Sequence, residues 1–357
     1  MSDWRALFPL STEHDKTRIP LRVLRRHGHD LLVLPAAARL AAQSLTLYAA
    51  QTRMARWGKA MLQSALVAHL PAPLAHAEIE IAAADPLLAW LRELTNETTF
   101  AILAGNPFAR GRRFIVLAFQ NEKPACVIKL GMEPEARALI EREAGFLKSV
   151  VGKAPHLPRL RGMKQTDAWS GLALDFIAGE SPDPQDSSGV PEVLGSWIDP
   201  TRTGALGELA SWQRLRENPM VGNIVRQLAP VRVASTIFHG DFAPWNVRIE
   251  TGTRGWIVLD WERGETLGVP SWDWFHYIIQ TGILVRRAAT TKLINQIESL
   301  LQSPPFKAYA EKTGIAGCEK PLVLAYLRYF LDVIKPTEGS PRTEELFHML
   351  HPQWGAT

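Results

Sequence analysis

The chain has 357 residues, which is long enough for two or three domains. Hydrophobic residues make up 46% of it, which favours a sizeable core and argues against global disorder. Two cysteines, Cys126 and Cys318, are too few for a disulfide framework or a cysteine-ligated zinc site, and they favour a reducing compartment. No apolar run reaches the roughly 18 residues of a membrane span. The N-terminus also lacks the basic-then-apolar order of a signal peptide, so we predict a soluble cytoplasmic protein.

Residues 1–84 predict a basic helical N-terminal extension. The first 75 residues hold ten Lys/Arg and four Asp/Glu, whereas the rest of the chain holds 30 and 32. A helical wheel over residues 53–65 separates an apolar side from a basic side: Met54, Trp57, Met61 and Ala65 against Arg53, Arg56 and Lys59. Such a helix can lie weakly on an anionic membrane surface or can pack its apolar side on its own protein. No nucleic-acid-binding motif is present, so nucleic acid is not an expected partner.

Residues 85–178 predict a β-rich domain. The runs "TTFAILA", "RRFIVLAF", "ACVIKLG" and "GLALDFIAG" are short, apolar and rich in β-branched and aromatic residues. Between the third and fourth runs, "EPEARALIEREAGFLKSVV" has the periodicity of a helix with one charged side. The segment before this domain, "PAPLAHAEIEIAAADP", is interpreted as a linker or a domain boundary. The predicted order is three strands, a helix and two further strands.

Residues 179–357 predict a mainly helical domain that is interrupted once. The interruption starts at "HGDFAPWN", residues 239–246, and continues as "VRIE", "TGTRG", "WIVL" and "DWE". Two short strands that flank a turn with two glycines predict a β-hairpin. A hairpin brings its outer ends together, so Asn246, before the first strand, and Asp260, after the second, are expected to lie side by side.

Two adjacent oxygen ligands suit Mg²⁺, which keeps some waters and takes substrate phosphates as its other ligands. Asp241 lies on the loop that leads into the hairpin and is not needed as a metal ligand, so it can orient a nucleophile. Taken alone, Asp241 would be interpreted as a turn-stabilising residue. Together with Asn246 and Asp260 it supplies what phosphoryl transfer needs: a metal site, positioning and a base for the attacking hydroxyl.

These motifs resemble the catalytic loop and metal motif of the aminoglycoside phosphotransferase and choline kinase group. The resemblance rests on "HGDFAPWN" and "VLDWE" in that order and extends over roughly residues 90–350. It implies an α+β, protein-kinase-like two-lobed fold with a small β-rich N-lobe and a larger helical C-lobe. It also implies that Asp241 is the catalytic base, that Asn246 and Asp260 hold Mg²⁺, and that His239 supports the loop. Asp273, in "GVPSWDW", resembles a residue that ties down the catalytic loop.

The strand "ACVIKLG" carries a single charge, Lys129, although a surface lysine on an edge strand is the alternative interpretation. In kinase-like folds a lysine at this place binds the α- and β-phosphates and pairs with a glutamate of the next helix. Glu143 is the favoured partner, and Glu141 remains an alternative. The resemblance places adenine-pairing backbone in "LDFIAG", at residues 175–177: Asp175, Phe176 and Ile177. The loop "AGNPFARGRR", with only two glycines, is expected near the nucleotide phosphates.

The expected function is ATP- and Mg²⁺-dependent transfer of the γ-phosphate to a hydroxyl of a small molecule or glycan, with GTP as an alternative donor. Two other functions remain open: a catalytically idle nucleotide-binding pseudokinase, and a membrane-peripheral adaptor that uses the basic N-terminus. The acceptor is expected to meet the helical part after about residue 280. That part has scattered acids but no dense acidic cluster: Asp332, Glu338, Glu344 and Glu345. A polycationic aminoglycoside would favour such a cluster, so the sequence does not single out an aminoglycoside as the acceptor. A sugar, an amino alcohol and a polysaccharide precursor fit the sequence equally well.

Overall fold

The computed structural model describes residues 3–8, 15–48, 53–105, 111–335 and 340–355. The chain divides into two compact units. Unit 1 consists of Met1–Lys148 and Pro158–Ile177, and unit 2 consists of Ser149–Leu157 and Ala178–Thr357. The first 84 residues belong to unit 1 and do not form a unit of their own. No helix among the described residues is both long enough and apolar enough to span a membrane.

Unit 1 is built around one antiparallel sheet. Its strands are β1 (Lys16–Arg26), β2 (His29–Pro35), β3 (Ala75–Ala82), β4 (Phe100–Leu103), β5 (Arg113–Gln120), β6 (Lys123–Gly131), β7 (Leu160–Gln165) and β8 (Ser170–Asp175). Its helices are α1 (Ala38–Ser44), α2 (Arg53–Val67), α3 (Pro86–Thr95) and α4 (Pro134–Val150), with short 3₁₀ turns at Trp4–Leu7 and Leu45–Leu47. The strand order is β3-β1-β2-β4-β5-β6-β8-β7. The predicted order of three strands, a helix and two strands is confirmed by β4 to β8 and α4.

The prediction of a helical N-terminal extension is confirmed only for α1 and α2, because residues 1–84 also contribute β1, β2 and β3 to this sheet. The segment interpreted as a linker forms β3, which pairs with β1 along its whole length. In β1 the apolar residues alternate with polar ones, so that Leu21 and Val23 are buried while Arg22 between them is not. A period of two buries one face of a strand, and this alternation outweighs the high alanine content of the segment.

Both faces of the sheet in unit 1 are buried. Along β5, Val116 and Ala118 enter one apolar cluster, whereas Leu117 and Phe119 enter the other. The first cluster includes residues of α3, and the second includes residues of α1 and the end of α2. α3 begins with Asp85, whose carboxylate accepts hydrogen bonds from the first free backbone N–H groups of the helix.

Unit 2 is mainly helical. Its helices are α5 (Val190–Ser196), α6 (Ala210–Gln213), α7 (Gly222–Leu228), α8 (Trp272–Gln280), α9 (Thr290–Gln302), α10 (Pro304–Thr313), α11 (Glu319–Tyr329) and α12 (Pro341–Trp354). Short 3₁₀ turns lie at Leu206–Glu208 and Pro244–Asn246, and π-helical turns lie at Thr281–Val285 and Phe330–Ile334. Its strands are β9 (Gly179–Glu180), β10 (Ile198–Ala205), β11 (Arg232–Phe238), β12 (Val247–Glu250), β13 (Trp256–Val258) and β14 (Glu265–Gly268).

The predicted hairpin is confirmed: β12 and β13 pair antiparallel, with Val247 opposite Val258. The prediction of only one interruption in a helical domain is wrong, because β10, β11 and β14 form a second three-stranded sheet. The strand β10, "IDPTRTGA", has no apolar alternation because most of its side chains are exposed, so its strand conformation follows from pairing with β11. The α+β class, with an antiparallel sheet in the first unit and a helical second unit, is confirmed.

Candidate functional site

The loop at residues 239–246 starts directly after β11 and places Asp241 in a fixed set of hydrogen bonds. The side-chain amide of Asn246 donates from Nδ2 to the Asp241 backbone oxygen at 2.9 Å and to Asp241 Oδ2 at 3.0 Å. The other carboxylate oxygen, Oδ1, lies 3.0 Å from His276 Nε2. One carboxylate oxygen is therefore held by the loop itself and the other by helix α8.

The side chain of Asp273, at the start of α8, anchors the backbone of this loop. The Asp273 carboxylate accepts hydrogen bonds from His239 N at 2.7 Å and from Gly240 N at 3.0 Å. Burial raises the pKa of Asp273 to about 7, and the two backbone hydrogen bonds oppose this rise. Gly240 has a φ of +79°, in the left-handed region that glycine adopts without a steric penalty. The Asp273 carboxylate therefore holds the backbone of the loop at residues 239 and 240.

His239 is completely buried and braces the loop on its other side. Its Nε2–H donates to the Leu259 carbonyl at 2.8 Å, and its Nδ1 accepts from Asp241 N–H at 3.1 Å. Burial lowers the pKa of His239 to about 4, so the imidazole is neutral at physiological pH. The Trp261 ring packs edge-on against the imidazole with 4.5 Å between centroids. These contacts suit a supporting residue rather than a proton carrier.

The hairpin brings Asn246 and Asp260 to the same end. The Asn246 carbonyl accepts a 2.7 Å hydrogen bond from Leu259 N, one residue before Asp260. Asp260 itself has a φ of +71°, a left-handed conformation that Asp tolerates better than most residues. The turn at Asp260 therefore redirects the chain immediately after the last paired residues of β13.

The residues present fit a Mg²⁺ site. Because Nδ2 of Asn246 donates to Asp241, the amide orientation is fixed and Oδ1 is the atom that could bind a metal. With the Asp260 carboxylate it would supply two hard oxygen ligands, the usual protein share of a Mg²⁺ site that is completed by phosphates and water. No group of three or more His, Cys, Asp or Glu residues within the described ranges is arranged to hold a metal. A site of one amide and one carboxylate does not require such a group.

His276 and Tyr326 are functional candidates that sequence reasoning missed. Since a carboxylate only accepts hydrogen bonds, His276 Nε2 carries the hydrogen toward Asp241, and in the neutral ring Nδ1 accepts from the Tyr326 hydroxyl at 3.1 Å. Burial raises the pKa of Asp241, but the hydrogen bond from His276 and the charge of Arg263 outweigh it and hold that pKa below its ordinary value. The only sequence signal was the spacing, because His276 follows Asp273 by three residues and so shares its helix face.

The four tryptophans at 256, 261, 272 and 274 are buried and pack in the core of unit 2. Their burial indicates that these four side chains pack in the core rather than form a solvent-open aromatic pocket. Two of the predicted acceptor-side acids, Asp332 and Glu344, are paired with Arg328 at 2.6 and 2.9 Å. Glu338 lies outside the described residues.

In unit 1, Lys129 on β6 is paired with Glu143 on α4. Lys129 Nζ lies 2.7 Å from both carboxylate oxygens, and Glu143 is completely buried. Glu141, the alternative partner, instead accepts a hydrogen bond from Gln165 Nε2 at 2.7 Å. β6 lies between β5 and β8, so Lys129 is on an inner strand and not on a sheet edge. A buried bidentate pair of this kind holds the ammonium group in one position.

We expect the contributions of Lys129 and Glu143 to the free energy of unfolding to be strongly coupled. Replacing Lys129→Met alone removes the ammonium group that pairs with the buried Glu143 carboxylate, which should lower the free energy of unfolding by roughly 3–5 kcal/mol. Replacing both, as Lys129→Met with Glu143→Met, should recover most of that loss because no buried charge remains. Urea unfolding of the two single variants and the double variant measures the coupling. Additive losses in the double variant would contradict an energetic coupling between the two buried charges.

The predicted adenine-binding segment is partly engaged within unit 1. Asp175 N donates to the Arg159 carbonyl and Phe176 N to the Ala125 carbonyl, at 3.0 and 3.2 Å. Of the three backbone N–H groups at residues 175–177, that of Ile177 has no hydrogen bond to the described part of the chain. In the predicted phosphate loop, residues 106–110 lie outside the described residues, and Gly105 and Gly111 both have positive φ.

No protein-family model matches the sequence, and no curated protein matches it. Among solved structures, a candidate fructosamine-3-kinase from Haemophilus somnus 129PT aligns with 13% sequence identity over 74% of this chain and 96% of its own, with a TM-score of 0.44. A thermostable mutant of aminoglycoside phosphotransferase APH(4)-Ia, in a ternary complex with AMP-PNP and hygromycin B, aligns with 12% identity over 76% and 99%, with a TM-score of 0.46. Aminoglycoside phosphotransferase APH(3'')-Id from Streptomyces rimosus ATCC10970 aligns with 15% identity over 63% and 93%, with a TM-score of 0.38. These alignments cover most of each solved structure but share no more than 15% identical residues.

Proposed function

We propose that the protein is an ATP- and Mg²⁺-dependent phosphotransferase that phosphorylates a hydroxyl of a small molecule or glycan. The observation that supports this most strongly is the Asp241 carboxylate, ionised and held by Asn246 and His276, next to a hairpin whose end carries Asn246 and Asp260. Phosphoryl transfer needs positioning and charge stabilisation more than covalent chemistry, so a rigid constellation of this type suits it.

In the proposed mechanism each side chain has one task. Asp241 accepts the proton of the acceptor hydroxyl as that oxygen attacks the γ-phosphorus, and its lowered pKa keeps it ionised for this. Asn246 and Asp260 would hold Mg²⁺, which when bound supplies positive charge to the phosphate oxygens. Lys129 contacts the α- and β-phosphates from a position fixed by Glu143.

We assign nucleotide binding to residues 85–178 and acceptor binding to residues 179–357. The Ile177 N–H is the group that we expect to pair with the base of the nucleotide. We propose ATP rather than GTP as the phosphate donor only because ATP is the commoner donor. Since ATP is the proposed substrate and both Cys126 and Cys318 are free thiols, the cytoplasm is the proposed location.

Saturating Mg·ATP should stabilise the folded protein. A ligand that binds only the native state at a hundred times its dissociation constant adds about 2.7 kcal/mol to the free energy of unfolding. Thermal unfolding with ATP and with GTP, each with and without Mg²⁺, measures the shift and selects the donor. The absence of any shift would contradict both the phosphotransferase and the idle nucleotide-binding alternative. A shift without any turnover on a broad acceptor panel would favour the idle protein.

A second proposal concerns the surface of α2. We infer that this helix makes a weak contact with anionic membrane surfaces. Met54, Trp57 and Met61 lie at helical spacing and are 86%, 70% and 53% exposed. The expectation that this side packs on its own protein is therefore wrong for these three residues, because α2 uses Leu62 and Leu66 for that purpose.

The charge around this helix complements an anionic lipid surface. Residues 31–77 contain no Asp or Glu, whereas α2 itself carries two arginines and a lysine. Each basic residue near an anionic bilayer contributes about 1 kcal/mol, and tryptophan favours the interfacial region.

Replacing both Trp57→Ser and Met61→Ser should reduce binding to anionic vesicles by roughly 10-fold or more, because the apolar area that enters the interface is lost. Co-sedimentation with phosphatidylcholine vesicles, with and without phosphatidylglycerol, measures the binding. The matched control is Leu284→Ser, another exposed apolar residue of the chain. Equal binding to neutral and anionic vesicles, or a concentration-dependent dimer that Trp57→Ser abolishes, would contradict a lipid surface as the occupant.

A further inference from the structure

Arg263 lies directly against the catalytic loop. Two residues before it, Trp261 packs on His239, and two residues after it, Glu265 pairs with the last residue of β11. The Arg263 Cβ lies 3.0 Å from the position that a Cβ on Gly240 would take. The backbone of residue 263 is therefore fixed beside residue 240, which directly precedes the proposed base.

The charge of Arg263 reaches that base. Burial raises the pKa of Asp241, and the charge of Arg263 is one of the interactions that lower it. Burial likewise raises the pKa of Tyr329, at the end of α11, and Arg263 again opposes the rise. The guanidinium group therefore lies within electrostatic reach of both the Asp241 carboxylate and the Tyr329 hydroxyl.

Arg263 is nevertheless not engaged by an acid of this unit. Its side chain is half-buried and makes no ion pair or hydrogen bond with the described part of the chain. Both Asp241 oxygens already have partners, and the nearby Glu265 carboxylate lies 3.9 Å from Arg214 Nη2. Arginines that lose solvent on folding are usually paired with an acid, so this guanidinium is suited to bind an anionic group of a substrate.

The anion that comes closest to Asp241 in the proposed reaction is the phosphoryl group in transit. A bond forms between the acceptor oxygen and the γ-phosphorus, and the bond from that phosphorus to the β–γ bridging oxygen breaks. The acceptor proton goes to Asp241, and ADP leaves. In a loose transition state the negative charge is spread over the three equatorial oxygens of the transferring group. A guanidinium group offers five N–H donors in a planar fork, a geometry that suits phosphate oxygens.

We propose that Arg263 is a catalytic residue that donates hydrogen bonds to the equatorial oxygens of the γ-phosphoryl group during its transfer. The inference rests on the proposed phosphotransferase function and adds one residue to it. Arg263 follows Asp260 by three positions, so one short segment carries both a proposed metal ligand and the proposed ligand of the phosphoryl group. Asp241 receives the proton, while Arg263 stabilises the charge of the group that the acceptor attacks.

A mimic of the phosphoryl group tests Arg263→Gln in the full chain without an identified acceptor. Aluminium fluoride beside Mg·ADP imitates the planar group in transit, so it should raise the affinity for Mg·ADP in titration calorimetry. We expect Arg263→Gln to lose this gain and to keep its affinity for Mg·ATP, because the contact forms only during transfer. Turnover should fall by roughly 10²–10³-fold, as on removal of one preorganised donor.

Two further variants make the comparison specific. Arg263→Lys keeps the positive charge without the planar fork and should recover part of the fluoride-dependent gain. Arg214→Gln is the matched control, because it removes a neighbouring arginine that is 52% exposed and already donates to the Tyr329 hydroxyl. The control should keep the whole gain. Retained binding of Mg·ATP shows that each variant is folded.

The inference is overturned if Arg263→Gln keeps the fluoride-dependent gain or full turnover, or if the wild-type chain shows no such gain. It is also overturned if Arg263→Gln and Arg263→Lys both lose affinity for Mg·ATP, because Arg263 would then bind the nucleotide before transfer. A failure of the proposed function gives a different result, since the wild-type chain would then not bind Mg·ATP.

Discussion

Replacing Asp241→Asn should reduce turnover by roughly 10²–10⁴-fold, the usual contribution of a positioned general base. The affinity for Mg·ATP should survive, because Asp241 is assigned to the acceptor hydroxyl and not to the metal. The fold should also survive. The amide keeps one oxygen for the Asn246 donor, and His276 can change tautomer to accept from the new NH₂ while it donates to Tyr326. Calorimetric titration of Mg·ATP and turnover with an identified acceptor provide the two measurements.

A companion variant tests the support of the base. His276→Asn removes the ring that orients Asp241 Oδ1 while leaving a polar side chain, and we expect a smaller fall in turnover than for Asp241→Asn with unchanged nucleotide affinity. Tyr326→Phe should have a still smaller effect, since it removes only the second hydrogen bond in the series. Normal turnover of Asp241→Asn would mean that the loop is only a structural turn and has no catalytic role.

Replacing Asp260→Ala should instead weaken Mg·ATP binding, by at least about 10–100-fold, because it deletes one of two proposed metal ligands. Asp260 also has a positive φ, and alanine is strained there, so a second variant is needed. Asp260→Asn tolerates the same backbone conformation but loses the negative charge, and it should also bind Mg·ATP more weakly. Nucleotide titration with and without Mg²⁺ separates loss of the metal from loss of the fold.

Substitutions of the two aspartates should therefore impair different properties: turnover for Asp241 and Mg·ATP affinity for Asp260. If Asp241→Asn loses nucleotide as severely as Asp260→Ala, then Asp241 is a metal ligand and the proposed division of roles is wrong. If Asp260→Asn keeps full Mg²⁺-dependent affinity, the end of the hairpin does not bind the metal. Both results can be read before any acceptor is known, because they depend on nucleotide binding alone.

The local pattern of residues in the sequence was sufficient to predict β4 to β8, α4 and the β12–β13 hairpin. Each of these elements buries side chains at a regular period of two or of 3.6, and that period is written in consecutive residues. The hairpin in turn placed Asn246 and Asp260 together, because antiparallel pairing needs only a short turn and no distant partner. For the same reason the loop at residues 239–246 could be recognised from its own residues.

Other features depended on partners far away in the chain. Glu141 and Glu143 differ by about 200° around their helix, so only the rotation of the packed helix selects Glu143 for Lys129. β10 is a strand because β11 pairs with it, although its own residues do not alternate.

The surroundings of Asp241 show most clearly the difference between what local sequence predicts and what depends on distant residues. The sequence by itself determined that a carboxylate stands in a short loop before a hairpin. Only the tertiary structure decided that His276 and Tyr326, 35 and 85 positions further along the chain, form the series of hydrogen bonds that holds it. The direction of a buried side chain depends on how helices pack, and that packing minimises free energy over the whole unit rather than over neighbouring residues.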